Sequence, residues 1–228
     1  MKPKFSAFHG DQKIKDKYVA RMKAHIEADE LIQGTGYSGV KGCAVGCTLN
    51  KYSHFAYEEE LGIPFTIAIL EDDIFESLSV ENSKSFPLEF LEAVPVGADL
   101  SLVYNKMEIF DIEYVMSKII MDSDKQICSD LILLHKNVID GIEIEEHSWG
   151  KIKDRSYRSY RSDLADRSDR SDLAYLADLA DLADRAYRAY LADRAYLAYL
   201  ADRADLAYRA DLADARREKF IELINNCK

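Results

Sequence analysis

The spacing of apolar residues predicts a chain that is mainly α-helical. After Asp11, apolar residues recur every three or four positions as far as Ile26, and Asp11 is a residue type that commonly caps helices. We expect this first helix to end before Gly34, because glycine is typical of helix ends. Further helices are predicted at 53–61, 64–78, 87–93, within 99–121, and from 123 to about 137. Only 63–70 and 131–134 contain apolar runs that are also compatible with strands.

The helix predicted at 64–78 has the clearest amphipathic pattern. Its apolar stripe consists of Ile67, Leu70, Ile74 and Leu78. The acidic residues between these positions are predicted to face water for the most part; they are Glu71, Asp72, Asp73 and Glu76. On this interpretation the acidic residues make the helix surface polar and take no part in a binding site.

A three-residue repeat occupies residues 155–214, where twenty units join Arg or Leu, then Ala or Ser, then Asp or Tyr. Each unit advances an α-helix by about 300°, so no residue class forms a fixed stripe. Acid-to-base pairs four residues apart, such as Asp181 with Arg185, nevertheless favour a helix, and a 3₁₀ helix or β-solenoid fits less well. We therefore predict two parts: a compact helical body at 1–150, and a long exposed helical arm at 151–228 that ends in an amphipathic turn. The arm would act as a spacer or hold copies together as a homo-oligomer.

The charge and the cysteines narrow the class of protein. The formal net charge is −11, and all of the excess lies in residues 1–154, because the remaining residues contain equal numbers of acidic and basic side chains. An acidic body disfavours direct binding to nucleic acid. No apolar run approaches the roughly 18 residues of a membrane span, and the start of the chain lacks the apolar run of a signal peptide. Four cysteines in a chain of this length are typical of reduced thiols and not of a secreted disulfide framework. These features together predict a soluble, cytoplasmic protein that does not bind membranes.

The segment 34–47 is a candidate ligand-binding loop. It contains five glycines together with Lys41, Cys43 and Cys47. Glycines allow a backbone to approach a ligand closely, and Lys41 could contact an anion, although the Walker pattern of phosphate-binding loops is absent. The alternative interpretation is a tight loop in which the cysteines pack as small buried hydrophobic residues.

Three residues outside this loop complete the predicted ligand-binding set: His9, Asp11 and His54. Cys43 and Cys47 with His9 and His54 could in principle hold zinc, but the spacing departs from the tight pairs that zinc sites usually use, so we predict no metal site. A thiol nucleophile at Cys43 or Cys47 would need a nearby base such as His9. The sequence identifies no cofactor.

Four motifs also resemble those of a known family. They are Phe8–Asp11 (FHGD), 42–48 (GCAVGCT), 60–64 (ELGIP) and 97–103 (GADLSLV). This combination is similar to an uncharacterised family of tailed-phage and prophage proteins, over residues 5 to 103. Members of that family also end in Ala-rich tracts that contain Tyr and Asp. The resemblance implies a phage-type accessory protein in the cytoplasm of the host cell and implies no particular activity.

These observations favour a non-enzymatic binding protein whose body captures a small ligand or a host protein. One alternative is a thiol-dependent hydrolase or transferase that uses Cys43 or Cys47 with His9. The other is a purely structural protein in which the arm is the main feature. The binding protein is preferred because no complete set of catalytic residues can be named from the sequence.

Overall fold

The computed structural model describes residues 5–117, 122–145, 147–152, 154–155 and 206–227. These residues are mainly α-helical, as predicted, and none of them forms a β-strand. A 3₁₀ turn (Ala7–Gly10) is followed by helices α1 (Gln12–Glu27), α2 (Ala44–Leu49), α3 (Ala56–Leu61), α4 (Phe65–Ser77), α5 (Val80–Ala93), α6 (Val103–Met116), α7 (Asp122–Ile139) and α8 (Leu206–Asn225). Within the described ranges, no helix combines the length and the apolar character that crossing a bilayer requires.

The chain divides into two compact units, and neither junction coincides with the boundary predicted between residues 150 and 151. The first unit is Met1–Met107 with Leu206–Lys228, and the second is Glu108–Asp205. The last three repeat units, 206–214, lie within α8 and belong to the first unit. Repeat residues 156–205 lie outside the described residues, so the long arm stays a prediction.

Helix α4 is the centre of the first unit because it packs against α2, α3, α5 and α8. Its predicted apolar stripe is confirmed: Ile67, Leu70 and Ile74 are buried, as is Leu78 just beyond the helix. The prediction that the acidic residues of α4 largely face water is wrong for two of them. Glu71 is 0% exposed and Asp72 is 8% exposed, because neighbouring helices cover α4 on several sides and not on its apolar stripe alone.

Helix α8 covers α4 and α5 with an apolar face that the sequence analysis had assigned to the arm. Phe220 is fully buried, and its ring stacks on Phe90 with the ring centres 5.5 Å apart. Ile224 lies one turn further along the same face and is also fully buried. The guanidinium of Arg217 donates to the Glu89 carboxylate on α5 at 2.7 Å. The end of the chain is therefore part of the core of the first unit.

The second unit has its own apolar core, formed by Ile112, Val115, Ile127, Cys128, Leu131 and Ile152. Trp149 packs against this core, and its ring lies 5.0 Å from that of the buried His135. Arg155 forms an ion pair with Asp130 on α7. These contacts are local to the unit, and they include α7, which corresponds to the helix predicted from 123 to about 137.

Local signals set several helix ends where the sequence places them. The side chain of Asp11 accepts a hydrogen bond from the backbone N–H of Lys13 at 2.8 Å, which confirms it as the N-cap of α1. Gly62 ends α3 in the left-handed region with a φ of 64°. Helix α3 begins at Ala56, three residues after the predicted start at Ser53.

The glycine-rich loop at 34–47 folds tightly over the start of α2. A Cβ atom added at Gly46 would lie 1.9 Å from the carbonyl oxygen of Gly36, and one added at Gly36 would lie 2.7 Å from Cγ of Tyr52. Real Cβ atoms essentially never approach other atoms this closely. Glycine is therefore needed at both positions for close packing of the loop.

We expect Gly46→Ala to lower the free energy of unfolding by about 1–3 kcal/mol, the usual range for overpacking in a core. The sign is informative, because glycine to alanine inside a helix otherwise stabilises by about 1 kcal/mol. Gly150→Ala is the matched control: Gly150 is in a helical stretch, and an added Cβ would meet nothing within 4 Å. Urea denaturation of both variants would measure the difference, and a stabilising Gly46→Ala would contradict the close packing.

Phe220→Ala should lower the free energy of unfolding by about 3–5 kcal/mol, because it removes a buried ring from the core of the first unit. Phe55→Ala is the same substitution at a residue that is 65% exposed, and we expect it to change stability by less than about 1 kcal/mol. Thermal and urea melts of the full chain would test both. Similar effects from the two variants would show that α8 contributes little to the core.

Candidate functional site

Glu71 is a fully buried carboxylate on the central helix α4. Its Oε2 accepts a hydrogen bond of 2.5 Å from the hydroxyl of Tyr57, which is itself fully buried on α3. Its Oε1 is buried and has no hydrogen-bond partner among the described residues. Burial raises the pKa of Glu71 well above its ordinary value, the Tyr57 hydrogen bond partly opposes this, and the charge of Asp72 adds to it.

Asp72, the next residue, lies among polar groups from the segment between α2 and α3. The hydroxyl of Tyr52 donates to Asp72 Oδ2 at 3.3 Å, and Nε2 of His54 lies 3.1 Å from the same oxygen. The rings of Tyr52 and His54 pack edge to face, with their centres 5.0 Å apart. The second oxygen, Asp72 Oδ1, is buried and has no hydrogen-bond partner in the described part of the chain.

Cys43 and Glu76 approach Asp72 from two further directions. Cys43 is the N-cap of α2, and its Sγ accepts from the backbone N–H of Gly46 at 3.5 Å. Glu76 is one turn after Asp72 on α4, and its carboxylate accepts from the backbone N–H of Gly34 at 2.7 Å. The Cys43 thiol and the carboxylates of Asp72 and Glu76 each place one atom within 4.8 Å of the other two. We call Cys43, Tyr52, His54, Asp72 and Glu76 the Asp72 cluster.

Burial and the neighbouring Asp72 raise the pKa of three groups in the Asp72 cluster. Burial raises the pKa of the Cys43 thiol, and Asp72 raises it further. Burial, followed by the charge of Asp72, raises the pKa of Tyr52 to about 12. The pKa of Glu76 is also raised, first by burial and then by Asp72, although the hydrogen bond from Gly34 opposes this. Three neighbours of Asp72 thus hold their protons more tightly than usual, first because of burial and then because Asp72 is close to them.

Asp73 provides a comparison on the same helix. Its carboxylate forms an ion pair with Arg216 of α8 at 3.6 Å, and its side chain is 18% exposed. The side chain of Asp72 is 12% exposed, and its neighbours are the Tyr52 phenol, the Cys43 thiol and the His54 imidazole. Of these only the imidazole can pair with its charge, and only when it is protonated. Two neighbouring aspartates of similar exposure therefore differ in whether arginine neutralises them.

Two of the six predicted ligand-binding residues, Cys43 and His54, meet in the Asp72 cluster. The other four have separate local contacts. His9 is hydrogen-bonded through Nε2 to the carbonyl of Glu59 at 3.0 Å, and Asp11 caps α1. Lys41 is exposed in a turn closed by Ser38. Cys47 is buried with its thiol donating to the Gly42 carbonyl at 3.4 Å, and burial raises its pKa to about 11.

The sequence analysis missed Tyr52, Asp72 and Glu76, and it also placed Glu71 in water. One signal could have found Glu71: it is four residues after Ile67 and three before Ile74, so it lies within the apolar stripe of α4. No comparable signal marks Asp72 and Glu76, which lie on the flank of that stripe. The burial of Asp72, and its proximity to Cys43 and Tyr52, depend on α2 and on the 52–57 segment packing against α4.

The Asp72 cluster can bind positive charge. It combines two carboxylates, a thiol, a phenol and an imidazole, all of which can donate electron density to a cation. Catalysis by a cysteine nucleophile fits the geometry less well, because buried thiols with raised pKa values form little thiolate. Tyr52 and Glu76 are exposed, so the cluster borders solvent.

The pKa of Glu71 leads to a test of stability against pH. The unfolded chain releases this proton above about pH 4.3, whereas the folded chain keeps it to higher pH, so stability falls as pH rises above about 5. Glu71→Gln removes this loss of stability. The free energy of unfolding of the variant, relative to that of the native chain, should therefore be higher at pH 8 than at pH 5. Urea denaturation in the presence of a chelator would measure it.

Glu60→Gln is the control of opposite sign. Burial alone would raise the pKa of Glu60, but hydrogen bonds from Lys51 and Tyr18 outweigh this and leave the pKa lowered. The Glu60 carboxylate therefore stabilises the fold at pH values above the pKa that it has in the unfolded chain. Its replacement should lower the free energy of unfolding more at pH 8 than at pH 4. The same pH dependence for both variants would contradict the assigned environments.

Comparison of the chain with protein-family models, with curated proteins and with solved structures finds no match. The phage-type resemblance of the four sequence motifs therefore stays a prediction. The residues and the geometry of the Asp72 cluster are what support a functional proposal.

Proposed function

We propose that this chain is a non-enzymatic binding protein that captures a small, positively charged ligand at the Asp72 cluster. The observation that carries the proposal is the buried Asp72 carboxylate, whose Oδ1 has no hydrogen-bond partner in the described part of the chain. Burying a charge is strongly unfavourable unless it is paired and hydrogen-bonded. Oδ2 already accepts from Tyr52 and lies 3.1 Å from Nε2 of His54, so a bound cation would supply a partner for Oδ1.

The surrounding groups support a cation over other ligand classes. Carboxylates of Asp72 and Glu76 flank the Cys43 thiol within 4.8 Å, so an anion would be repelled. The partial burial of the cluster favours a small ligand over a protein partner, because Asp72 and Cys43 are too enclosed to contribute to a broad interface. Small cationic ligands therefore fit the cluster best.

The thiol-dependent enzyme is supported less well. Both candidate cysteines are buried with raised pKa values, and His9, the base named for them, is hydrogen-bonded to Glu59. A nucleophilic cysteine needs the opposite, a thiolate favoured by nearby positive charge. We place this ligand capture in a phage-infected or lysogenic cell, where the chain would have an accessory role. Only the four sequence motifs support that accessory role.

Asp72→Asn should abolish or strongly reduce retention of the cation, because it removes the buried charge and keeps an oxygen that can accept from Tyr52. Native mass spectrometry of the full chain, alone and with added Zn²⁺, Mg²⁺ or spermidine, would measure occupancy. Asp73→Asn is the matched control, since Asp73 is a neighbouring carboxylate of similar exposure that already has Arg216 as its partner. We expect this control to bind as the native chain does.

The proposal is contradicted if none of these cations binds at one per chain, or if Asp72→Asn and the native chain bind equally. Circular dichroism melts of the three proteins show whether any loss of binding reflects loss of fold. Asn is close to Asp in size and shape, so we expect the Asp72→Asn melt to remain cooperative.

A further inference from the structure

The donor atoms around Asp72 match a more specific ligand than a generic cation. A thiol and two carboxylates, from Cys43, Asp72 and Glu76, place donor atoms within 4.8 Å of one another. Donors bound to a tetrahedral zinc ion at about 2.0–2.3 Å lie about 3.3–3.7 Å apart. Metal binding would draw the three atoms closer together, and Glu76, being exposed, can move toward the ion.

We infer that the ligand is a divalent transition-metal ion of the zinc class, bound by the sulfur of Cys43 and by one carboxylate oxygen each from Asp72 and Glu76. This inference rests on the proposed function and specifies its ligand. The three side chains come from the start of α2 and from one face of α4, two elements that pack against each other. Water can complete the coordination because Glu76 borders solvent.

The sulfur donor selects the kind of metal. Thiolate is a soft ligand that favours zinc and related transition metals, whereas magnesium and calcium favour sites made of oxygen alone. Formation of the sulfur–metal bond requires the Cys43 thiol to lose its proton, which passes to solvent as the metal binds. The metal supplies a partner for Asp72 Oδ1, which has none among the residues that the structure describes.

His54 and Tyr52 act as positioning residues for the metal ligands. Each directs a polar atom at Asp72 Oδ2, at 3.1 Å and 3.3 Å respectively. Hydrogen bonds of this kind fix the orientation of a ligating carboxylate and leave its other oxygen for the ion. Gly34 has the same effect on Glu76 through its backbone N–H, which donates at 2.7 Å.

The test titrates the full-length chain, freed of metal by a chelator and dialysed, with Zn²⁺ in competition with a chromophoric chelator. We expect one Zn²⁺ per chain and no comparable binding of Mg²⁺. Glu76→Gln and Asp72→Asn should each weaken the Zn²⁺ affinity by about tenfold or more. Glu76→Gln is the cleaner variant, since Glu76 is exposed and glutamine still accepts from Gly34. Asp73→Asn and Glu81→Gln are charge-matched controls on α4 and α5 and should leave the affinity unchanged.

Cobalt tests the sulfur ligand directly. Co²⁺ bound to the native chain should show sulfur-to-cobalt charge-transfer absorption, which Cys43→Ser abolishes and Cys47→Ser retains. Cys47 is the matched control because it is equally buried but donates its thiol to the Gly42 carbonyl. If Cys43→Ser fails to fold, the Glu76→Gln and Asp72→Asn affinities still decide the outcome.

Unchanged Zn²⁺ affinity in both carboxylate variants, or Co²⁺ binding without the charge-transfer band, overturns the metal assignment. If instead spermidine binds, Asp72→Asn abolishes that binding, and Zn²⁺ does not bind at one per chain, the metal assignment fails while the proposed capture of a cation stands. If neither cation binds the native chain, both are overturned.

Discussion

The burial of two consecutive carboxylates on α4 is the constraint on which the rest of the first unit depends. Glu71 is fully buried and Asp72 is 8% exposed, and an unpaired charge is strongly unfavourable at such buried positions. Both carboxylates accept a hydrogen bond from one short segment: the hydroxyl of Tyr57 donates to Glu71, and that of Tyr52 donates to Asp72. These hydrogen bonds fix the 52–57 segment against α4. They thereby also position α3, which begins within that segment.

The glycine-rich loop contributes by packing. Gly36 lies under the ring of Tyr52, and its carbonyl oxygen lies where a Cβ of Gly46 would be. A side chain at either glycine would push the loop away from α2 or displace Tyr52 from Asp72. Close packing therefore places Cys43 at the start of α2 and beside the buried aspartate. These glycines thus shape the Asp72 cluster from outside it.

Much of the helical architecture could be predicted from sequence, because it depends on local rules. The Asp11 cap, the Gly62 stop and the apolar stripe of α4 all involve residues within about two turns of each other. The burial of Glu71 and Asp72 could not be predicted in this way, since it depends on how many neighbours cover α4. Helix α8 illustrates the same limit. Phe220 and Ile224 have a clear apolar spacing, but nothing local shows that they pack against α4 and α5, far away in the sequence.

The candidate site was predictable in part for the same reason. Cys43 and His54 are chemically conspicuous residues that sequence analysis selects by type, and the fold brings both to Asp72. Asp72 and Glu76 resemble ordinary surface acids until the surrounding helices are in place. Asp72 stands out by contrast with Asp73, whose charge is paired with Arg216.

X-ray absorption spectroscopy at the zinc edge of the Zn²⁺-loaded full-length chain is the most direct test of the central claim, that a buried carboxylate and a buried thiol jointly hold a cation. We expect one sulfur neighbour at about 2.3 Å together with oxygen neighbours at about 2.0–2.2 Å. The sulfur neighbour should disappear in Cys43→Ser and persist in Cys47→Ser. A spectrum with only nitrogen and oxygen neighbours in the native chain would contradict the claim.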